Sequence, residues 1–557
     1  MPFSTRFRRA SAAVAIALAM AGAHGVAQAA QALSPFTLSL TPIGTYATGL
    51  FNVSAAEIVA HDARSQRLFV VNAASGLVDV LDIRDPAQPT LLFSIDLTDY
   101  GVAVNSVAVN QRGLVVAVVE NAVKTNPGQA VFMDSDGQVL AAVEVGALPD
   151  MVTFTPDGRR VLVANEGEPN ADYSVDPEGS VSIIDLPPIV RRLTQANVRT
   201  ASFGKFNDAV LDPSIRISGP GATVAQDLEP EYITVSKDGR TAWVALQENN
   251  AIAVLDIDAG EFTALHGLGF KDHMLPGNEM DVSDQNPAIV MANWPVFGVY
   301  QPDAIASYEV AGRTYLVTAN EGDAREYDGF ADVSRFRALS GNVPICADEP
   351  RFQQFFAGNP LGIGNLTQLR DNQNMGRLNV LTTEGLRADG SCYEAIYALG
   401  ARSFSIYDAQ TMQQVYDSGA DFERITAEVY PDFFNSNHTA NSFKARSDDK
   451  GPEPEGVTLA RLWGATYAFI GLERIGGVMV YDISDPANPS FVKYINNRDF
   501  GAAPGTPEAG DLGAEGLMVI DAARSPIPGT PLLVVANEVS GTTTIFRIDR
   551  QRRVGAR

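Results

Sequence analysis

The chain has 557 residues, 45% of them hydrophobic and 19% charged, with 48 glycines and 32 prolines. That composition supplies core for several small domains or for one large repeat architecture. A formal net charge of −25 at pH 7 argues against nucleic acid and anionic membrane surfaces as partners, and is compatible with cations, basic ligands or simple solubility.

The chain opens with a targeting segment. Residues 1–29 carry a basic region (Arg6, Arg8, Arg9), an apolar stretch from about Ala12 to Ala21, and the small-residue site Ala27-Gln28-Ala29, the pattern of a cleaved signal peptide. "RRASAAV" matches a twin-arginine signal poorly, so ordinary secretion is expected. Its removal takes away three arginines and no acids, leaving a more acidic mature chain. No later segment holds the ~18 uninterrupted apolar residues of a membrane span. The C-terminal "RIDRQRRVGAR" shows neither a hydrophobic tail nor a lipidation signal. A periplasmic or secreted product is expected, as a monomer.

From residue 34 to 547 one unit recurs. An acidic residue opens a short apolar strand, a turn follows, a second apolar strand ends in Asn or Glu, and a third ends in Asp. The first copy supplies Glu57, Asn72 and Asp82; the second puts Ser106 where the others have an acid and keeps Glu120. The third, "PDMVTFTPDGRRVLVANEGEPN", supplies Asp150, Asn165 and Glu166, and the fourth Glu231, Glu248 and Asp256. The fifth supplies Asp303, Asn320 and Glu321; the sixth Glu455, Glu473 and Asp482; the seventh Glu515, Asn537 and Glu538. The strands are β-branched apolar runs punctuated by "PDG", "KDG" and Gly/Asn turns. A weaker fourth strand follows most units, as in "TLLFSIDL" and "FVKYI".

Four antiparallel strands repeated radially predict an all-β, seven-bladed β-propeller. The last unit lacks an outer strand, whereas "PFTLSLTPIGTY" (35–46) is a spare strand at the other end; pairing the two closes the ring and removes its exposed edges. An insertion at about 326–395 interrupts the fifth unit and holds the two cysteines, Cys346 and Cys392. They can close one disulfide in an oxidising compartment or remain free thiols. Residues 548–557 read as a basic tail.

In a propeller the start of each innermost strand and the end of the second lie on one face near the axis. Glu57, Asp150, Glu231, Asp303, Glu455 and Glu515 should therefore form an inner ring, with Glu120, Glu166, Glu248, Glu321, Glu473 and Glu538 outside it. So many carboxylates need protonation, basic partners or a cation. Arg325, Arg446, Lys450 and Arg474 sit in the same loops, and Arg325, Lys450 and Arg474 are candidates for gripping a phosphate. Ca²⁺ takes carboxylate and amide oxygens, so Asn beside Glu suits it, and the scarcity of Cys and His steers away from zinc. The expected metal ligands are Glu57, Asp150, Glu166, Glu231, Asp303, Glu321, Glu455, Glu515 and Glu538. Any one of these acids can equally serve to stitch neighbouring blades together. "DVSDQN" (281–286) has calcium-loop-like spacing without the following Gly and Glu, and reads as a solvated turn. No G-x-S-x-G, P-loop or H-E-x-x-H motif is present; His438 and the run Ser447–Lys450 read as a polar loop ordering the mouth.

The stretches "QDLEPEYITVS", "TANEGDAREY", "GARSFSIYD", "RSDDKGPEPEGV", "AFIGLERIGGVMVYDISDPANP" and "LLVVANEVSGTTTIFRI" together resemble the choice-of-anchor I family. That is a group of secreted bacterial propellers similar to the mesenchyme-specific cell-surface glycoproteins of animals. The resemblance covers nearly all of the mature chain. Members carry varied C-terminal anchors, none of which is evident here, and some relatives carry the label alkaline phosphatase. The expected function is divalent-cation binding, calcium by preference, at an acidic central mouth serving recognition or scaffolding. The alternative is a metal-dependent phosphoesterase using the same mouth. The expected partner is a small ligand or an extracellular protein or glycan.

Overall fold

The computed structural model describes residues 36–339 and 343–552, so the targeting segment 1–29 lies outside the described residues. Seven antiparallel sheets of four strands carry the repeat. The first is built from Val59–Asp62, Arg67–Asn72, Leu77–Asp82 and Thr90–Asp96 in sequence order, and the others follow the same plan, except that the last takes its outer strand from Phe36–Ala47. The inner strands Val59–Asp62, Ala103–Val109, Pro149–Phe154, Pro230–Val235, Ile305–Val310, Pro454–Leu462 and Ala514–Ile520 each contact the next, and the last contacts the first. The fold is a β-propeller.

One strand shows why these sequences stack as blades. Val115, Val116, Ala117, Val118 and Val119 are all fully buried. Side chains alternate across a strand, so Val115, Ala117 and Val119 enter a core shared with the first sheet. Val116 and Val118 enter the core shared with the third. Burial on both faces explains the continuous apolar run where a half-exposed sheet would alternate. Each buried valine stabilises the stack by roughly 1.5–3 kcal/mol.

Closure is antiparallel and long. Phe36–Ala47 pairs with Thr542–Arg552, from Phe36 opposite Arg552 to Ala47 opposite Thr542, with one bulge between Pro42 and Gly44. Residues 548–552, read from sequence as the start of a basic tail, belong to this strand. Ile548 is buried and the Arg550 guanidinium lies 3.5 Å above the Phe36 ring, so apolar packing and a cation–π contact extend the pairing into basic sequence. The third sheet also has a fourth strand, Val198–Ser202, after a long 3₁₀-containing connector that hides it from a repeat search.

The insertion forms a satellite of its own. Phe270–Asp272, Phe297–Val299, Tyr397–Ala398, Asn379–Leu381 and Val333–Arg335 make a five-stranded sheet, with a parallel pair at its centre. Residues 270–299, which precede the fifth unit, belong to it. A helix, Pro350–Gly358, begins with Pro at its first turn and buries Phe352 and Phe355, three residues apart. Beneath it lies a separate core containing Trp294, Phe336, Met375 and Tyr393. Cys346 and Cys392 are joined as a disulfide. Among the described residues no helix is long and apolar enough to cross a membrane.

Candidate functional site

Four of the acids opening inner strands stand at a break in pairing. Register shifts fall between Pro149 and Val152, Pro230 and Ile233, Pro454 and Val457, and Ala514 and Leu517. They bracket Asp150, Glu231, Glu455 and Glu515. An extra residue at a strand's rim re-aims a side chain. Here it turns the carboxylate towards the axis. Four of the acids follow a proline, and Leu148, Gln301 and Glu453, which precede three of those prolines, have positive φ. The backbone is bent locally to present the acids, an arrangement that costs conformational energy.

Glu57, Asp150, Glu166, Glu231, Asp303 and Glu515 line a single cavity of about 140 Å³. Glu321, Glu455 and Glu473 place their carboxylate oxygens within 4.8 Å of one another beside it. Burial is the main reason these groups hold protons. It lifts Glu57 to about 8, helped by Asp150 and Glu538, and Glu248 to about 8, helped by Glu229. Asp150 and Asp303 rise to about 7 from burial, Asp150 with help from Asp303's charge. Glu231, Glu455 and Glu515 are raised well above the usual carboxylate range, from burial and then from neighbouring carboxylates. One oxygen each of Glu57, Glu231, Glu248 and Glu455 is buried without any hydrogen-bond donor.

The repeated asparagines do something else. Asn165 donates to Ser180 and Ser182 and accepts from the Gly146 amide at 3.0 Å. Asn320 donates to Ser403 and Ser405, and Asn537 to Thr542. All three are buried. Adjacent residues on a strand point to opposite faces. The amide therefore ties the second strand to the third while the following glutamate faces the axis. These contacts use the Asn165, Asn320 and Asn537 amides to tie strands together within a sheet.

Three basic side chains gather around Glu453. Glu453, fully buried, accepts from Arg446 Nε at 2.8 Å and Arg474 Nε at 2.8 Å, with Lys450 Nζ at 3.2 Å. Burial would raise Glu453, but Lys450, Arg446 and Arg474 outweigh it and hold the carboxyl well below the usual range. Lys450 also pairs with Glu321, whose other oxygen accepts from Gln247 at 2.8 Å. His438 Nδ1 lies 2.9 Å from Glu473 Oε1, and Arg474 Nη1 lies 2.9 Å from the same oxygen. Glu453 and Gln247 are additions to the reading from sequence, whereas His438 belongs to the loop already read as ordering the mouth. The "EPE" at 453–455, matched by "EPE" at 229–231, is a visible signal for Glu453; Gln247, one residue before Glu248, gives none.

Other positions lie elsewhere. Arg325 is 2% exposed and bound to Ser218 at 2.7 Å, Glu229 at 2.8 Å and the Asp227 carbonyl at 2.8 Å. It braces the wall behind Glu248 and faces no open space. Glu120 is half-buried at the rim. Asp281 in "DVSDQN" is completely buried, pairs with Lys444 at 2.9 Å and accepts from the Val290 amide at 2.6 Å. It is an internal staple, which corrects its reading as a solvated turn.

The choice-of-anchor I domain profile matches residues 57–486. Gigasin-3a of Magallana gigas is 30% identical over 185 residues, covering 31% of this chain and 64% of that protein. The mesenchyme-specific cell surface glycoprotein of Strongylocentrotus purpuratus is 24% identical over 332 residues, covering 55% of this chain and 40% of that protein. The chain thus matches less than two thirds of the length of either relative. Among solved structures, Kuenenia stuttgartiensis hydrazine synthase aligns over 90% of this chain and 99% of its own at 12% identity and TM-score 0.43. A Myceliophteria thermophila β-propeller domain aligns over 91% and 99% at 8% identity and TM-score 0.39.

Proposed function

The chain belongs to the choice-of-anchor I family, and from that premise we propose that it is an extracellular or secreted binding propeller whose acidic mouth takes a divalent cation, calcium by its chemistry. The cell-surface relative supports the location. The single observation that carries the cation is the set of buried carboxylate oxygens on Glu57, Glu231, Glu248 and Glu455 that meet no donor. A buried charge left unpaired is strongly destabilising, and a hard cation relieves several such groups at once. The donors on that side are all oxygens, in the number Ca²⁺ accepts. Glu57, Asp150, Glu166, Glu231, Asp303, Glu455 and Glu515 are the acids that would supply its ligands. Bound there, it links inner strands of several sheets and stiffens the face on which a partner docks.

The test is direct. Chelator-treated protein is titrated with Ca²⁺ while thermal unfolding and bound metal are followed. A ligand at one hundred times its Kd stabilises the native state by about 2.7 kcal/mol, which raises the midpoint measurably. Glu231→Gln and Glu455→Gln should reduce the effect. An unchanged midpoint and no retained calcium overturn the proposal.

A second reading, metal-dependent phosphoester hydrolysis, draws on Lys450 beside Glu321 and Arg474 beside Glu473 at the edge of the same mouth. Both cations are already shared with Glu453, which leaves them less free to grip a phosphate. Turnover of a generic phosphomonoester that needs Ca²⁺ and disappears in Glu231→Gln or Glu455→Gln would establish this reading over the first.

A further inference from the structure

Apart from the oxygen-lined cavity, we propose that His438, Glu473 and Glu538 form a second metal site, one for a borderline transition-metal ion such as Mn²⁺, Co²⁺ or Zn²⁺. Sequence reasoning steered away from such metals because His and Cys are scarce among the repeated positions. The structure brings one histidine in from outside the repeat. The segment before the sixth sheet delivers His438; Glu473 and Glu538 end the second strands of the sixth and seventh sheets.

Three observations build the site. First, one ligand atom from each residue lies within 4.8 Å of the other two, a spacing that ligands at 2.0–2.2 Å around one small ion can meet. One imidazole nitrogen with two carboxylates is a donor set that suits Mn, Fe, Co and Zn, whereas calcium prefers oxygen alone. Second, the ligands ride on anchored backbone. The loop carrying His438 is gripped by Arg498, whose Nη2 binds the Asn437 carbonyl at 2.9 Å, the Ala440 carbonyl at 3.2 Å and Asn441 Oδ1 at 2.8 Å. The Glu473 amide donates to the Glu453 carbonyl at 2.9 Å, and the Glu538 amide to the Gly513 carbonyl at 2.8 Å. Pre-positioned ligands of this kind are what tight metal binding requires. Third, Glu473 also belongs to the neighbouring group Glu321, Glu455 and Glu473, where a Glu455 oxygen is buried without a donor. A carboxylate common to two such groups is placed to bridge two ions.

Arg474 competes for the same lone pairs. Its Nη1 lies 2.8 Å from His438 Nε2 and 2.9 Å from Glu473 Oε1, while Ser54 Oγ donates to Glu538 at 3.3 Å. The guanidinium has a second anchor, Nε on Glu453 at 2.8 Å. Giving up the Nη1 contact to a metal therefore leaves Arg474 paired. Metal and guanidinium are alternative partners of one imidazole–carboxylate pair.

The experiment uses the full chain, freed of metal by chelation and titrated with Co²⁺. The expected result is a saturable visible absorption band. Its affinity falls at least tenfold in His438→Gln and in Glu538→Gln, and excess Ca²⁺ does not displace it. His438→Gln keeps the calcium-induced stabilisation tested above, so failure of either site is distinguishable from failure of the other. Should a substitution prevent folding, spin-echo modulation on the unaltered protein loaded with Mn²⁺ reads directly bound ¹⁴N without any variant. The proposal is overturned by absence of the band, by an unchanged spectrum and affinity in His438→Gln, by stoichiometric displacement by Ca²⁺, or by a Mn²⁺ signal without ¹⁴N coupling.

Discussion

Gly516 packs its α-carbon against the carbonyl oxygen of Glu57: a β-carbon at 516 would stand 2.2 Å from that oxygen. Gly516 lies on the inner strand of the last sheet and Glu57 just before that of the first, so the contact is part of the seam that closes the ring. Gly456 meets the Glu515 carbonyl the same way, at 2.0 Å. An acid followed by glycine thus has a double purpose: the acid turns inward and the glycine lets the next strand come close. Gly516→Ala forces the seam apart. Overpacking of this kind costs about 1–3 kcal/mol, readable as a lowered denaturation midpoint. Tyr46 or another residue on the outer closing strand should be far less sensitive at the same seam. An unaltered midpoint in Gly516→Ala shows that the strands can separate without cost.

Glu453 is the hub of the basic side of the mouth. Replacing it by glutamine leaves Arg446, Arg474 and Lys450 buried with one fewer negative charge among them. Breaking a buried ion pair from one side costs about 3–5 kcal/mol, so Glu453→Gln should unfold at markedly lower denaturant. Glu120→Gln at the rim serves as the comparison and should change stability by less than about 0.5 kcal/mol. Equal effects from the two substitutions would remove Glu453 from this role.

The repeat made the propeller legible because each unit answers the same physical demand. Two buried strands need apolar runs, and the turns between them need Gly, Asn or Asp. The convergence of Glu57, Asp150, Glu231, Asp303 and Glu515 was readable for the same reason, since equivalent positions in a radial repeat must meet at the axis. What escaped notice obeys no period. Arg325 looks exposed in "NEGDAREY", and only the fold brings Asp227 and Glu229 to it across about a hundred residues of chain. Residues 270–299 look like an ordinary connector until Tyr397–Ala398 supplies the parallel partner strand. Asn165 and Glu166 are adjacent in sequence and seem interchangeable as ligands, yet strand alternation sends them to opposite faces.

The disulfide between Cys346 and Cys392 spans 46 residues of the satellite. In the chain-entropy model a loop of that length restrains the unfolded state by roughly 4 kcal/mol. The satellite has its own core, so the loss should be local. Cys346→Ser with Cys392→Ser, or reduction, is expected to speed amide exchange in the helix Pro350–Gly358 and its sheet while the propeller strands remain protected. Uniform loss of protection across both would show that the satellite and the ring unfold as one.

Stability should fall as pH rises, contrary to the common pattern for proteins rich in acid. In an unfolded chain these carboxyls titrate near 4. In the folded, metal-free protein burial keeps Glu57 and Glu248 protonated to about 8 and Asp150 and Asp303 to about 7. Between those limits the native state holds more protons than the unfolded one, and linkage then makes the slope of unfolding free energy against pH negative. Their stabilising contribution is complete below pH 4 and gone above pH 8. Glu453 runs the other way: Lys450, Arg446 and Arg474 overcome burial to depress it, so its contribution is lost only in strong acid. Calcium competes with protons for the raised groups and not for Glu453. The midpoint measured in chelator should decline from pH 5 to pH 8, and saturating Ca²⁺ should flatten that decline. The gap between the two curves should widen upward through pH 7. A gap that is constant across this range would mean that calcium binds without displacing protons, and hence away from Glu57, Asp150 and Asp303.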